Sequence, residues 1–148
     1  MTSTAIGQWG EQFTADYLKT QNGHILFQQW RCRQGEIDLI ARMGITPTQR
    51  ESCLAFIEVK TRSLGNWDQG GALAVNPSKQ NRIIQTAQYF LAKYPAFGDL
   101  PCRFDVALVH YAPSGSQKNR LMALYSRQNW HGYDWQLQDY LIAAFETH

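Results

Sequence analysis

The sequence predicts an α/β fold in which a mixed central sheet is flanked by helices. Three observations carry that prediction. Residues 3–20 and 77–94 repeat apolar side chains at helical spacing. Five short apolar runs, bounded by glycine, proline and polar residues, read as strands. Their order (helix, three strands, helix, strand, strand, then a final helix) interleaves the two kinds of element. The chain has 148 residues, enough to bury a real core, and no repeat, low-complexity tract or linker divides it, so one domain is expected.

The first helix begins at a Ser3 or Thr4 cap and carries Ile6, Trp9, Phe13 and Tyr17 on one stripe, with Gly23 as its stop. Gly7 and Gly10 are poor helix residues, which close helix packing or a ligand near the backbone would explain. Glu11 sits on the polar side, where a solvated acid favours the helix dipole. His24 to Trp30 is the first strand. Arg31 and Arg33 follow it, either as phosphate contacts or as a solvated turn.

The centre of the chain is the stretch from Gly35 to Arg62. Gly35-Glu36-Ile37-Asp38-Leu39-Ile40-Ala41 and Leu54-Ala55-Phe56-Ile57-Glu58-Val59-Lys60-Thr61-Arg62 are strands with acids where aliphatics belong. Alternation puts Glu58 and Lys60 on the face of Leu54 and Phe56, and Ala55, Ile57 and Val59 on the other. It likewise groups Glu36, Asp38 and Ile40 against Ile37, Leu39 and Ala41. A hairpin between the strands brings Asp38, Glu58 and Lys60 to one patch. Two carboxylates suit a hard divalent cation such as Mg²⁺, and a lysine beside them can orient or deprotonate water. The bland alternative is the solvated face of an edge strand. Against it stands the cost of burying unpaired charge, several kcal/mol.

Residues 63–71 are glycine-rich and polar and read as a loop at the mouth of the site, without the spacing of a Walker phosphate loop. Trp67 there either stacks on a base or caps the core. Asn76 caps the second helix with Pro77 at its first position; Ile83, Ala87, Phe90 and Leu91 form its buried stripe. Lys79, Gln80 and Arg82 crowd its first turns, where a bound phosphate would offset the unfavourable dipole term. Arg103 to Val109 is another central strand, with Asp105 read as structural, paired with Arg103 or another nearby base. After a turn at 113–116 come a short strand over 121–125 and an aromatic tail. In that tail Leu137, Tyr140, Leu141, Ile142 and Phe145 stand at helical spacing. The tail either packs on the domain or offers a partner surface.

The formal net charge is +2, but residues 1–130 hold all 14 Lys and Arg against nine acids, and the last 18 residues hold three acids and no Lys or Arg. A basic body of this kind permits a local phosphate-binding surface. Cys32, Cys53 and Cys102 are too scattered for a zinc site and read as reduced thiols, Cys53 in the core. With no signal-like start and no apolar run of membrane-spanning length, a cytoplasmic protein without membrane contact is expected.

Gly35 to Ala41 followed by Phe56 to Arg62 resembles the YraN family, small bacterial proteins similar to archaeal Holliday-junction resolvases within the PD-(D/E)xK nuclease superfamily. Gly7-x-x-Gly10-Glu11, Gly71-Ala72 with Ala74-Val75, Lys79-Gln80 and Arg103-Phe104-Asp105-Val106 extend the likeness over residues 7–110; the segment 128–148 lies beyond it. The resemblance implies a restriction-endonuclease-like core and a nuclease-like site. In that site Asp38, Glu58 and the Val59 carbonyl would hold Mg²⁺ or Mn²⁺. Lys60 would activate water, and Glu11 would be a further acid. Arg62, Lys79 and Gln80, with Arg31, Arg33 and Trp67, would hold nucleic acid. It also implies DNA, branched DNA included, as substrate, and a homodimer with two matched sites. The rival from another class is a non-catalytic module that kept the fold and binds nucleic acid or protein. An RNA nuclease would use the same site.

Overall fold

The computed structural model describes residues 2–47, 50–64, 75–115 and 123–147. Helix α1 spans Ser3–Thr20, and strands β1 (Gly23–Cys32), β2 (Gly35–Met43) and β3 (Cys53–Ser63) follow it. Helix α2 (Pro77–Lys93) then leads through a 3₁₀ turn to β4 (Cys102–Pro113), β5 (Tyr125–Trp130) and β6 (Tyr133–Phe145). The strands form one six-stranded sheet in the order β1-β2-β3-β4-β6-β5. Only β3 and β4 run parallel, and α2 makes the crossover that a parallel pair requires. The expected mixed sheet flanked by helices is therefore present. The glycine-rich segment 65–74, with Trp67 and Gly71 to Ala74, and the expected strand start at Leu121 lie outside the described residues.

Alternation on β3 divides the core as expected. Ala55 and Ile57 join Phe13, Ala15 and Leu18 of α1, together with Leu39, Ala107, Trp135 and Leu137. Leu54 and Phe56 join Ile83, Ile84, Ala87 and Phe90 of α2, together with Ile37, Ile40 and Val106. Cys53 is buried in the α1-side cluster, as read from its setting. None of the three cysteines is in a disulfide. Among the described residues no helix is long and apolar enough to cross a membrane.

The helix boundaries need small corrections. Thr2, not Ser3 or Thr4, caps α1 by accepting a hydrogen bond from the Ala5 N–H (3.2 Å). Asn22, at φ 60°, makes the left-handed exit from α1 that Gly23 was expected to make. Gly23 is instead the first residue of β1, where a Cβ would lie 2.7 Å from the Leu18 carbonyl oxygen. Asn76 caps α2 as expected, its Oδ1 accepting from the Lys79 N–H at 2.9 Å.

The expected final helix is strand β6. Tyr133, Trp135 and Leu137 alternate with polar residues and pack toward α1. Register shifts then break the pairing with β4 between Leu108 and Val109 and between Phe104 and Val106. These bulges turn Leu141 and Phe145 toward the α2 side. Two bulges in one strand spread its apolar residues to 137, 140, 141 and 145, a spacing that imitates a helix.

The two glycines of α1 differ. A Cβ on Gly10 would lie 2.1 Å from Thr61 Oγ1 and 3.1 Å from Thr61 Cβ and Cγ2, so α1 sits directly on β3 there; around Gly7 nothing lies within 4 Å. Gly→Ala inside a helix gains up to about 1 kcal/mol in propensity, whereas overpacking against a stiff β-branched neighbour costs about 1–3 kcal/mol. Gly7→Ala is therefore expected to stabilise the protein in urea unfolding and Gly10→Ala to destabilise it. Equal shifts in both variants would show that Gly10 is not a contact point.

Candidate active-site cleft

The pairing of β2 with β3 runs from Met43–Cys53 to Leu39–Ile57. The pairing of β2 with β1 continues to Gly35–Cys32. Beyond Leu39 the start of β2 thus stays with β1 and parts from β3. Asp38 stands at this fork, where its Oδ2 accepts the Val59 N–H at 2.8 Å. A side-chain carboxylate replaces a ladder carbonyl as the bond between the strands.

An open cleft of about 550 Å³ lies at the fork, lined by Arg31, Gly35, Glu36, Asp38, Glu58, Lys79 and Arg82 among others. Glu58 is 7% exposed, and its Oε1 meets Lys79 Nζ at 2.5 Å. Burial pushes the Asp38 carboxyl up to about 8, with Glu58 adding both repulsion and a shared hydrogen bond. The Val59 N–H pulls the other way without reversing the shift. The protonated form of Asp38, hydrogen-bonded to Glu58, is therefore favoured at neutral pH. Glu11 reaches the same electrostatic environment from α1. Burial raises its carboxyl to about 7, opposed by a hydrogen bond to Gln29 and reinforced by Glu36 and Glu58.

Several expected site residues come together. Asp38 and Glu58 converge, Lys79 pairs with Glu58, and Arg31 lines the cleft while pairing with Glu36 (Nε to Oε2, 2.7 Å). Others stand aside. Lys60 is half-buried two residues beyond Glu58, on the same face by strand alternation. Arg62 donates to the Thr61 carbonyl at 3.0 Å. Gln80 commits its amide to the Val75 carbonyl at 2.9 Å, and Arg33 is exposed in the β1–β2 turn.

Two charged residues of the cleft, Arg82 and Glu36, were not singled out as site residues from sequence, nor was Gln29, the hydrogen-bond partner of Glu11. Arg82 had a signal, one helical turn past Lys79. Gln29 had none, since its role depends on a left-handed backbone (φ 52°) inside β1.

The donor set fits a divalent cation through two carboxylates. Mg²⁺ commonly binds one or two carboxylates and leaves its remaining positions to water and phosphate. Two acids that repel each other in one cleft are the groups that such an ion would stabilise. Among the described residues no three His, Cys, Asp or Glu side chains are grouped to hold a metal; Glu11 interacts electrostatically with both Asp38 and Glu58. Asp105 is structural, as read from its neighbours. It is fully buried and accepts from Arg103 Nε (3.0 Å), Tyr140 Oη (2.7 Å) and the Ala143 N–H (3.0 Å).

Comparison with known proteins agrees with the family that the central motifs pointed to. A family model described as uncharacterised protein family UPF0102 matches residues 10–109. A UPF0102 protein of Trichormus variabilis is 45% identical, the match covering 99% of this chain and 97% of the relative. One from Synechocystis sp. is also 45% identical, over 96% of this chain and 98% of the relative. A third, from Trichodesmium erythraeum, is 38% identical over 96% and 89%. The first two alignments run over nearly all of both chains, so they take in the β5–β6 hairpin, which the family model does not reach. The chain belongs to the UPF0102 family.

Proposed function

We propose that this protein is a metal-dependent, nuclease-like hydrolase of DNA phosphodiester bonds, built on a restriction-endonuclease-like core. The observation that carries the reading is the Asp38–Glu58 carboxylate pair at a sheet fork, in a cleft walled by Arg31, Lys79 and Arg82. Asp38 and Glu58 would hold Mg²⁺ or Mn²⁺. When bound, such an ion lowers the pKa of a coordinated water and offsets charge on a phosphate oxygen. Lys60, on the face of Glu58, would orient the attacking water. Arg31, Arg82 and Lys79 would take the flanking phosphates, the two arginines by bidentate contacts. Branched DNA as the substrate, and a homodimer that acts on it, follow from the likeness to junction resolvases and belong to this proposal.

The test is cleavage of labelled four-way junction, flap, duplex and single-stranded DNA with Mg²⁺ or Mn²⁺, beside the Lys60→Ala variant. Metal-dependent cutting that falls at least about 100-fold in the variant is expected, the usual weight of a positioned acid–base group. A second reading, a non-catalytic nucleic-acid-binding module, draws on the Lys79–Glu58 pair, which balances Glu58 without a metal ion. It would be favoured if the folded protein bound DNA in a salt-dependent way, cut nothing, and lost affinity with Lys79→Ala but not with Asp38→Ala.

A further inference from the structure

We infer that Lys79 is a resident stand-in for the divalent cation: its ammonium pairs with Glu58 in the metal-free protein and competes with a metal ion for that carboxylate. The inference rests on reading Asp38 and Glu58 as the cation site.

The geometry is specific. Lys79 Nζ lies against Glu58 Oε1, the more buried of the two acids, while Asp38 is held by the Val59 N–H. The ammonium thus covers the carboxylate that has less access to water. An ammonium on Glu58 Oε1 opposes, by charge repulsion, a metal ion at the same carboxylate.

The base of Lys79 is fixed and its tip is free to move. Its N–H is bonded to the Asn76 cap at 2.9 Å, and its neighbour Gln80 ties the first turn of α2 to the Val75 carbonyl. The side chain is 39% exposed and sits on a flexible four-carbon stem. The ammonium can therefore swing from Glu58 toward the open cleft without moving α2. Lys79 also lies in the first turn of α2, where a positive charge opposes the helix dipole and is held only by an acid partner or by a bound anion. Once a cation takes Glu58, a phosphate beside Arg31 and Arg82 in the cleft is a favourable partner for Lys79. Metal and phosphate binding are then coupled through one side chain: each releases or captures Lys79 in the sense that favours the other.

The experiment is a titration of the full-length protein with Mn²⁺ alone, read by isothermal calorimetry and by the loss of free-ion paramagnetic resonance signal. Wild type is compared with Lys79→Met and Lys79→Arg at neutral pH, with folding of each checked by circular dichroism. Lys79→Met is expected to bind Mn²⁺ about tenfold more tightly than wild type, a coupling of ordinary size. Lys79→Arg, which keeps the charge, is expected to stay near wild type. Tighter binding in Lys79→Met, or binding in that variant alone, supports the inference. Equal Mn²⁺ affinity in folded wild type and Lys79→Met overturns it while leaving the cation site standing. No Mn²⁺ bound by either protein overturns the cation site itself and the inference with it.

Discussion

Asp105→Ala is expected to destabilise the protein by about 3–5 kcal/mol, the usual cost of removing one partner from a buried charged network. Asp105 is fully buried and holds three donors: Arg103 Nε, Tyr140 Oη and the Ala143 N–H. The last two belong to β6. Ala143 has φ 51°, which a non-glycine residue keeps only when its surroundings impose it. The carboxylate therefore pins the second bulge of β6 onto β4, and alanine would leave the Ala143 N–H and the Tyr140 hydroxyl without their acceptor. Asp105→Asn keeps one acceptor oxygen and should lose less. Urea unfolding gives the ranking. Burial and the neighbouring Asp105 also hold the Tyr140 hydroxyl well above its ordinary pKa, so alkaline ultraviolet titration should show one tyrosine ionising earlier in Asp105→Ala. A loss below about 1 kcal/mol, the size of an ordinary surface change, would mean that the bulge finds another acceptor, and Asp105 would no longer be read as structural.

How far the sequence speaks depends on whether a feature is local. Helices α1 and α2 and strands β3 and β4 were legible because each has a single uninterrupted period, and Glu58 was legible as an acid inside an apolar strand; in β2 the period breaks at the fork, where Ile37 joins Ile40 on the α2 side instead of Leu39 and Ala41 as expected. Strand β6 was not, because its bulges depend on pairing with β4 and erase the period-two signal. The convergence of Asp38 with Glu58 needed only the hairpin. The fork that gives Asp38 the Val59 N–H needed the register of three strands, which no local pattern encodes. Lys79 was legible as a cation at a helix start. Its contact with Glu58 was not, because it depends on how α2 crosses the sheet. Gln29 shows the limit: its bond to Glu11 requires a left-handed residue within a strand, and glutamine gives no sign of one.

Asp38→Asn is expected to stabilise the metal-free protein by about 2–4 kcal/mol at pH 8 and to change it little at about pH 4–5. The Asp38 carboxyl stands at about 8 in the folded protein against an ordinary value of 3.8. Between these limits the native state keeps a proton that the unfolded chain has released. Wild-type stability from this group is therefore complete below about pH 4 and is lost as pH rises toward 8, at up to about 1.4 kcal/mol per pH unit. Glu11, raised from 4.5 to about 7, adds a slope of the same sign over a narrower window. Taken in full, the rise of Asp38 corresponds to about 5–6 kcal/mol; solvent in an open cleft reduces that to the smaller figure. An asparagine cannot ionise. Its oxygen can still accept the Val59 N–H, and its amide can still donate to Glu58 as the protonated acid does, so it keeps the bonds and loses the pH slope. Urea unfolding of both proteins from about pH 4.5 to 8.5 in a chelator, a range that spans most of the expected slope, measures the difference directly. Adding Mn²⁺ at the alkaline end should then stabilise wild type and not the variant, because a ligand of the native state stabilises only where its site survives. If the two proteins show parallel pH profiles in chelator, Asp38 and Glu58 do not share a proton, and the carboxylate pair on which the catalytic reading stands would have to be abandoned.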